Sequence, residues 1–465
     1  MELLQVNSLE EMGLSSLALE DFIRIYKKRG FATVTLVRDG KRFTLNSRPY
    51  HEDTPFVLFS LSKSFTSMAA GFAVAEGRIA WDSRLTEALK DDLPEQYDAQ
   101  LDQVTLHHLL TMSSGLDPKS DGLEIRRSDN IAREIMGFPL VQKPGKVFHY
   151  NSMGTYLAGR MVQKTVGQSL RDYLTPRLFD RIGIPRRRWN SCPMGYNMAG
   201  FGFHLSNLDI AKAAQLLLNE GFEGGERVLP EGYLECASKK HISNGDPATG
   251  DDWAQGYGYQ FWRCRFGRYR GDGMFGQVMM IDRKHNLAVA ATASAPAMNK
   301  EMDALHALMD QALSLPPADG KRLEGILKQA KNLSRRMPPD DGGSVLPLHG
   351  SYLDGKGLAL RLEVMDENNI RLFYRAPGET LSACFDLGRK KPVRGEVTTP
   401  MPGEGNLPYL GAFGMRQGSL RLRVLFPSAP FVLDIRLSPT KDGLEGRAEA
   451  RGFWQGRLKL AKQRL

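Results

Sequence analysis

Cysteine is scarce in this chain: only four occur among 465 residues, with no CxxC pair and no zinc spacing to nearby histidines. This scarcity is typical of free thiols in a reducing compartment, and it gives no sign of a metal site. Long apolar runs are also missing, since no segment approaches the roughly 18 to 20 consecutive apolar residues of a membrane span. The N-terminal residues lack the basic and apolar regions of a secretory signal. We therefore expect a cytoplasmic protein with no membrane segment and no metal.

Charged residues are common, and basic residues outnumber acidic ones, which gives a net charge of +9 at pH 7. The basic runs at 186–188 and 389–391 lie far apart, and neither alternates with aromatic residues as in a nucleic-acid-binding module. The pattern favours a solvated basic face over nucleic-acid binding, although the charge could steer anionic substrates. A content of 42% hydrophobic and 25% charged residues is that of a globular protein, and the length indicates two or three domains.

The sequence is organised around residues 58–77, in which positions 65–75 are almost all apolar or small. A helix that is apolar on every side is buried, so this stretch predicts a central helix over 60–76. Ser60 and Lys63 are three positions apart and would share one face at its N-terminus. Burial would lower the pKa of the lysine, so that its amine could take a proton from the serine hydroxyl. The pattern indicates an activated serine nucleophile.

A structural alternative stays open for Ser60, because serine is a common N-cap of a core helix. The same Ser-x-x-Lys spacing also occurs at Ser438 and Lys441. That second copy contains Pro439 at the end of a predicted strand and has no apolar helix behind it. We interpret it as coincidence.

A serine nucleophile also needs a proton-transfer group and donors for an oxyanion. Tyr150 lies between a Pro-Gly turn and a predicted helix, where it could project into a cleft, and a nearby ammonium would lower its pKa. Residues 271–277 are rich in glycine and open a predicted strand, so the N–H of Met274 could join that of Ser60 in an oxyanion hole. A core tyrosine and an ordinary glycine-rich turn are the alternatives.

Predicted strands bracket a helical middle in the first two thirds of the chain. A hairpin at 31–45 precedes the central helix, and strands return at 256–263, 275–281 and 287–293. This order predicts an α+β fold, in which helices flank an antiparallel sheet and an all-helical subdomain is inserted.

The pattern changes after a Pro-rich and Gly-rich stretch at 338–343. Apolar and polar residues then alternate through about eight short segments, which predicts an all-β barrel or sandwich. The predicted organisation is a first domain over 1–315, a helical linker over 316–345 and a β-barrel-like domain over 346–465.

Five stretches taken in order resemble one superfamily, the serine β-lactamases and penicillin-binding proteins. They are 59–66, 105–116, 144–152, 256–259 and 271–277. The resemblance covers about residues 8–315 and is greatest to the class C branch of esterases, D-amino-acid peptidases and amide hydrolases. It implies a transpeptidase-like fold and a small-molecule ester, amide or peptide substrate, with no cofactor. It also implies Ser60 as the acylated nucleophile, Lys63 as its activator and Tyr150 as general base and acid.

The sequence departs from the family pattern at two positions. Ser152 replaces the usual Asn, and Gly271 stands where the last motif usually has Lys or His. The residues expected to line the substrate site are Ser152, Gly271, Asp272 and Gly273. Either of the nearby Arg268 and Arg270 could supply the missing cation.

That cation commonly binds the carboxylate of β-lactams and peptidoglycan stems. Its loss favours a serine hydrolase of esters or amides that forms an acyl-enzyme. A β-lactamase or D-amino-acid peptidase, and a ligand-binding homologue without catalysis, stay open as alternatives.

Overall fold

The computed structural model describes residues 1–122, 125, 128–295, 297–334, 338–355, 357–375, 383–398, 406–450 and 454–463. The chain forms two compact units. Unit 1 comprises Met1–Asn46, Glu52–Ala293 and Ala297–Asn332, and unit 2 comprises Ser47–His51, Ser294–Pro296 and Leu333–Leu465. In the part of the chain that the structure describes, no helix combines the length and apolarity needed to cross a bilayer. A cytoplasmic location and the predicted domain boundaries stay predictions.

Unit 1 is built on a seven-stranded sheet, and two further pairs of short strands form separate two-stranded sheets. The strands are β1 Leu4–Gln5, β2 Phe31–Arg38, β3 Lys41–Asn46, β4 Phe56–Val57, β5 His204–Leu205, β6 Phe222–Glu223, β7 Glu226–Arg227, β8 Trp262–Arg263, β9 Tyr269–Gly273, β10 Gln277–Asp282 and β11 Leu287–Ala293. The separate pairs are β4–β5 and β6–β7. The order of the seven-stranded sheet is β1-β3-β2-β11-β10-β9-β8, and every pair except β1–β3 is antiparallel. All residues of β10 and β11 are buried, so both faces of the sheet centre are covered.

Helices cover this sheet and fill the middle of the unit. They are α1 Ala18–Arg29, α2 Ser62–Ala75, α3 Leu85–Ala88, α4 Leu106–Leu110, α5 Ile131–Met136, α6 Ser152–Val166, α7 Leu170–Leu174, α8 Asn207–Leu218, α9 Tyr233–Ser238, α10 Met298–Ser314 and α11 Gly320–Lys331. Helix α8 packs on β2, β10 and β11, α10 packs on α1 and β11, and α2 packs on α6. The core runs continuously from the sheet through α2 into α3–α7, where apolar side chains such as Phe65, Met68 and Leu157 are fully buried. Burial of this apolar surface is the main favourable term that holds α2 in place.

Unit 2 contains an antiparallel sheet of ten strands that closes on itself. The strands are β12 Gly350–Leu353, β13 Ala359–Val364, β14 Asn369–Arg375, β15 Ala383–Gly388, β16 Val393–Thr398, β17 Asn406–Arg416, β18 Ser419–Leu425, β19 Val432–Pro439, β20 Gly443–Ala450 and β21 Trp454–Lys462. Their order is β15-β14-β13-β12-β21-β20-β19-β18-β17-β16, and a parallel pairing of Gly388 with Ala412 joins β15 to β17. Nine strands therefore form a closed barrel, to which β16 adds through β17. Alternate residues such as Leu420, Leu422 and Val424 face the buried interior.

The predicted fold class is confirmed, because helices flank an antiparallel sheet in unit 1 and unit 2 is an all-β barrel. Local differences lie near the predicted site. The helix predicted over 60–76 begins at Ser62, after a short 3-10 helix Phe59–Leu61. Most of the strand predicted at 256–263 is loop, and only Trp262–Arg263 pairs in the sheet. Residues 271–273, expected in a glycine-rich segment that opens the next strand, instead end a separate strand, β9 Tyr269–Gly273.

Candidate active site

Ser60 and Lys63 meet where the 3-10 helix passes into α2. Lys63 is 1% exposed, and its Nζ lies 3.0 Å from the Ser60 Oγ. The same nitrogen lies 3.1 Å from the Ser152 Oγ and 2.7 Å from the carbonyl oxygen of Gly200. The carbonyl can only accept a hydrogen bond, whereas either hydroxyl can also donate one. The amine is thus placed to exchange a proton with a serine hydroxyl.

Helix α6 brings Ser152 to this point. Asn151 caps the helix, and its side chain accepts a hydrogen bond from the Gly154 N–H. The Ser152 N–H donates to the Asp121 carboxylate at 3.1 Å. These contacts fix the first turn of α6, so the Ser152 hydroxyl lies against Lys63. Its predicted role in substrate binding stays a prediction.

Tyr150 lies just before α6 and contacts both Lys63 and Ser60. The Lys63 Nζ lies 4.9 Å from the centre of its ring, and its hydroxyl shares a hydrogen bond with Ser60. The ring also stacks on Trp262, with centroids 5.4 Å apart and planes 16° apart. The structure therefore brings Ser60, Lys63 and Tyr150 together, as the sequence pattern predicts.

The protonation state of Tyr150 differs from the expectation. Burial raises the pKa of Tyr150 above its ordinary value, and the carboxylates of Asp272 and Asp121 raise it further. The hydrogen bond with Ser60 acts in the opposite direction but is outweighed. The lowered pKa expected from sequence is wrong, because desolvation and two carboxylates dominate. Tyr150 holds its proton at neutral pH.

The glycines of β9 allow this strand to approach the start of α2. A Cβ at Gly271 would clash with the Ser64 Oγ, and a Cβ at Gly273 would clash with the carbonyl oxygen of Leu58. Gly271 and Gly273 thus provide space rather than side-chain contacts. Because side chains alternate along a strand, Asp272 projects from the opposite face, and its carboxylate raises the pKa of Tyr150.

The close approach of β9 places Met274 beside the turn that carries Ser60. The rings of Phe59 and Phe275, which neighbour these two residues in sequence, pack edge to face with centroids 5.2 Å apart. Both phenylalanines have positive φ, 48° and 69°, which is uncommon for residues other than glycine. Such backbone strain is often found at functional sites. The thioether side chain of Met274 has no hydrogen-bond donor, so only its backbone N–H is a candidate for the oxyanion hole.

The structure shows where Arg268 and Arg270 point, which the sequence left open. Arg268 donates to Asp282 at 2.8 Å and also contacts Asp310 and His306 of α10. Arg270 donates to the Asp272 Oδ2 at 2.8 Å and lies 4.5 Å from the centre of the Trp253 ring. Arg270 therefore contacts a predicted substrate-site residue, but its charge is already paired with a carboxylate.

Three residues of this site escaped prediction: Asp121, Gly200 and Trp262. Gly200 acts through its carbonyl oxygen, which every residue has, so no sequence signal could single it out. Asp121 lies in a polar loop of ordinary composition. Trp262 was placed in a predicted strand, but nothing in the pattern indicated its stacking on Tyr150.

Proteins similar to this chain in sequence include an esterase and protein flp. Esterase EstB of Burkholderia gladioli is 27% identical over 271 residues, which cover 45% of this chain and 67% of that protein. Protein flp of Staphylococcus aureus strain MW2 is 29% identical over 161 residues, which cover 31% of this chain and 32% of flp. The chain thus spans about a third of the length of flp.

The fold occurs in solved structures at low sequence identity. A penicillin-binding protein homologue from Pyrococcus abyssi, described as octameric, matches with a TM-score of 0.52 and 19% identity over 87% of this chain and 97% of its own. EstCE1, described as a hydrolase with promiscuous acyltransferase activity, matches with a TM-score of 0.52 and 14% identity over 64% of this chain and 99% of its own. These likenesses concern the fold alone. The family profile named Beta-lactamase, however, matches residues 19–314, which is more than half of the sequence, and the chain therefore belongs to the beta-lactamase family.

Proposed function

We propose that this protein is a serine hydrolase that forms an acyl-enzyme at Ser60 on a small-molecule ester or amide. The observation that carries the proposal is that the Lys63 Nζ lies 3.0 Å from the Ser60 Oγ and that Tyr150 forms a hydrogen bond with the same hydroxyl. A nucleophile, a proton acceptor and a proton donor within hydrogen-bond reach are the groups that acyl transfer requires. The sequence similarity to an esterase adds support.

In the proposed first step, the Ser60 Oγ attacks the substrate carbonyl carbon and its proton passes to the neutral Lys63 amine. The N–H groups of Ser60 and Met274 stabilise the oxyanion that forms. Tyr150, which burial keeps protonated, donates its proton to the leaving alcohol or amine. The phenolate then recovers a proton from the Lys63 ammonium. One proton moves overall from Ser60 to the leaving group as the ester or amide bond breaks.

In the second step, water takes the place of the leaving group. The neutral Lys63 amine accepts a proton from the water as the water oxygen attacks the acyl carbon, and Tyr150 donates its proton to the Ser60 Oγ as the bond to the acyl carbon breaks. The Tyr150 phenolate then recovers a proton from the Lys63 ammonium. The products are a carboxylic acid and the free enzyme. No further co-reactant is needed for this sequence.

A fluorophosphonate probe tests the nucleophile, because it reacts covalently with activated serines. Wild type is expected to be labelled and Ser60→Ala is not. Ser438→Ala is the matched control, since Ser438 begins the second Ser-x-x-Lys copy but lies in β19 with its Oγ 2.8 Å from that of Ser419. Equal labelling of wild type and Ser60→Ala would refute the role of Ser60.

The acyl donor that we propose lacks a carboxylate near the scissile bond. Asp272 presents a carboxylate beside Tyr150, and Arg270 is already paired with it. A penicillin-type substrate would bring its own carboxylate toward this charge. We expect turnover of p-nitrophenyl butyrate to exceed that of a chromogenic cephalosporin. Asp272→Asn should raise the relative rate on the cephalosporin about tenfold, the effect of roughly 1.4 kcal/mol. A cephalosporin preferred by wild type would favour the β-lactamase alternative.

A further inference from the structure

Four arginines stand side by side across the barrel of unit 2. In the register of the consecutive strands β18 to β21, Arg421 stands opposite Arg436, Arg436 opposite Arg447, and Arg447 opposite Arg457. We call these four residues the arginine row. Adjacent strands lie about 4.8 Å apart, so the row extends over about 14 Å. Arg436, Arg447 and Arg457 are exposed, whereas the intervening apolar residues of these strands face the barrel interior.

Like charges directly opposite one another destabilise a sheet. The pKa of Arg421 is lowered, first by burial and then by the charges of Arg436 and Arg416. The Nε of Arg421 is buried and has no hydrogen-bond partner among the described residues. The register therefore places like charges opposite one another, and a bound anion would offset their repulsion.

Carboxylates stand in the rows on both sides of the arginine row. On one side, the neighbouring row contains Arg423, Asp434 and Glu449, which stand opposite one another in the strand register. Within it, Asp434 accepts a hydrogen bond from the Arg423 Nε at 2.5 Å. Glu445 stands in the row on the other side. These acids partly balance the face, but the arginine row itself contains only cations. The imbalance continues over the whole segment 333–465, where 21 Lys and Arg against 14 Asp and Glu account for seven of the nine net positive charges.

A groove of about 410 Å³ lies along this face. Its charged lining consists of five arginines and two acids: Arg416, Arg421, Arg423, Arg436, Arg447, Asp434 and Glu449. No aromatic side chain is among the described residues that line it, so it offers no platform for stacked bases. Its volume is within the range of small-molecule sites.

We propose that the arginine row binds an oligophosphate, an anion with several adjacent phosphate groups, along this groove. Guanidinium groups form paired hydrogen bonds with phosphate oxygens, and their planar fork suits phosphate better than a lysine ammonium does. Consecutive phosphates would place one negative group near each of several neighbouring arginines. A single phosphate could compensate only part of the row. This proposal concerns unit 2 and does not depend on the hydrolase proposal.

Titration calorimetry of the full chain with sodium tripolyphosphate tests the proposal. We expect binding with a Kd in the micromolar range that weakens by at least tenfold between about 50 mM and about 200 mM salt. The Arg436→Gln/Arg447→Gln variant should bind at least tenfold more weakly. The matched control is Lys390→Gln/Arg394→Gln, which removes two exposed charges at and before β16 and should leave affinity within about twofold.

Further arms distinguish the sources and the alternatives. ATP that binds as tightly as tripolyphosphate would identify a nucleotide as one acceptable source of the phosphate chain. The proposal is overturned by no heat of binding at ~1 mM tripolyphosphate, by equal loss in both double variants, or by equal affinity for orthophosphate. Tighter binding of single-stranded DNA than of tripolyphosphate would overturn it in favour of nucleic acid.

Discussion

The amine of Lys63 lies 3.0 Å from the hydroxyl of Ser60, in a position from which water is almost excluded. Lys63→Met keeps a side chain of similar length but removes the nitrogen. We expect kcat on p-nitrophenyl butyrate to fall by about 100-fold to 10,000-fold, as for loss of a general base. KM should change little. Lys441→Met, in the second Ser-x-x-Lys copy, should retain full activity. A loss smaller than tenfold in Lys63→Met would contradict the proposed proton transfer.

Tyr150→Phe removes one hydroxyl and keeps the ring that stacks on Trp262. The acyl-transfer rate should drop by about 100-fold or more, because the leaving group loses its proton donor. Since the pKa of Tyr150 is raised, the phenol stays protonated up to and beyond pH 10, its ordinary value. The pH–rate profile of wild type should therefore show no tyrosine-linked decrease below pH 10. Such a decrease, absent from Tyr150→Phe, would contradict a protonated Tyr150.

Gly273→Ala tests whether the close approach of β9 to the Ser60 turn is needed for activity. The added Cβ would collide with the carbonyl oxygen of Leu58 and lie 3.0 Å from the Leu61 nitrogen, so β9 must move away. We expect fluorophosphonate labelling to slow by about 100-fold, as when an oxyanion donor is displaced.

The control for that variant is Gly325→Ala, in α11. No atom lies within 4 Å of the Cβ that it would add. Alanine has the higher helix propensity, so this variant should keep full activity and gain up to about 1 kcal/mol in unfolding free energy. If both variants label at the wild-type rate, β9 does not contribute to the oxyanion hole.

Glu301 makes stability depend on pH. Burial raises the pKa of this carboxyl in α10 to about 7 from 4.5, and neither of its oxygens has a hydrogen-bond partner among the described residues. The protonated form is favoured in the folded state. The stability that the protonated Glu301 carboxyl contributes to the folded state is therefore complete below pH 4.5 and is lost as the pH rises through about 7. The loss amounts to at most about 3 kcal/mol.

Glu301→Gln removes this titration, so its Tm relative to wild type should be higher at pH 8 than at pH 5. The comparison variant is Glu20→Gln, because a hydrogen bond from Arg322 lowers the pKa of Glu20. Thermal melts of the three proteins at both pH values provide the measurement. A Tm difference for Glu301→Gln that does not change with pH would rule out the raised pKa.

The sequence predicted those features that follow from repeated local patterns. The apolar stretch that becomes α2 has no polar face, and the alternation at 420–424 becomes a barrel strand with an interior face. The three-residue spacing of Ser60 and Lys63 also predicted their contact correctly. In each case the spacing along the chain determines the geometry.

Features that depend on distant parts of the chain could not be predicted in this way. Strand β9 was missed because glycine is unfavourable in strands, and its glycines are explained only by the helix against which they pack. The direction of the Tyr150 pKa depends on burial and on Asp272, which lies 122 positions away in sequence. Arg268 and Arg270 are both close to Asp272 in sequence, and Arg270 is the one that forms an ion pair with it. The sequence could not show which of the two arginines does so, because this depends on how the strand packs in the fold.

The carbonyl oxygen of Gly200, 2.7 Å from the Lys63 Nζ, belongs to the main chain. No codon change at position 200 can delete it. A larger residue there would press on the Ser152 carbonyl, which a Cβ would approach to 2.5 Å. This acceptor of the Lys63 amine can therefore be displaced only by a change in the backbone conformation of the loop around Gly200. Changes in substrate choice are therefore expected at Asp272 and its surroundings rather than at the contact between the Lys63 amine and this carbonyl oxygen.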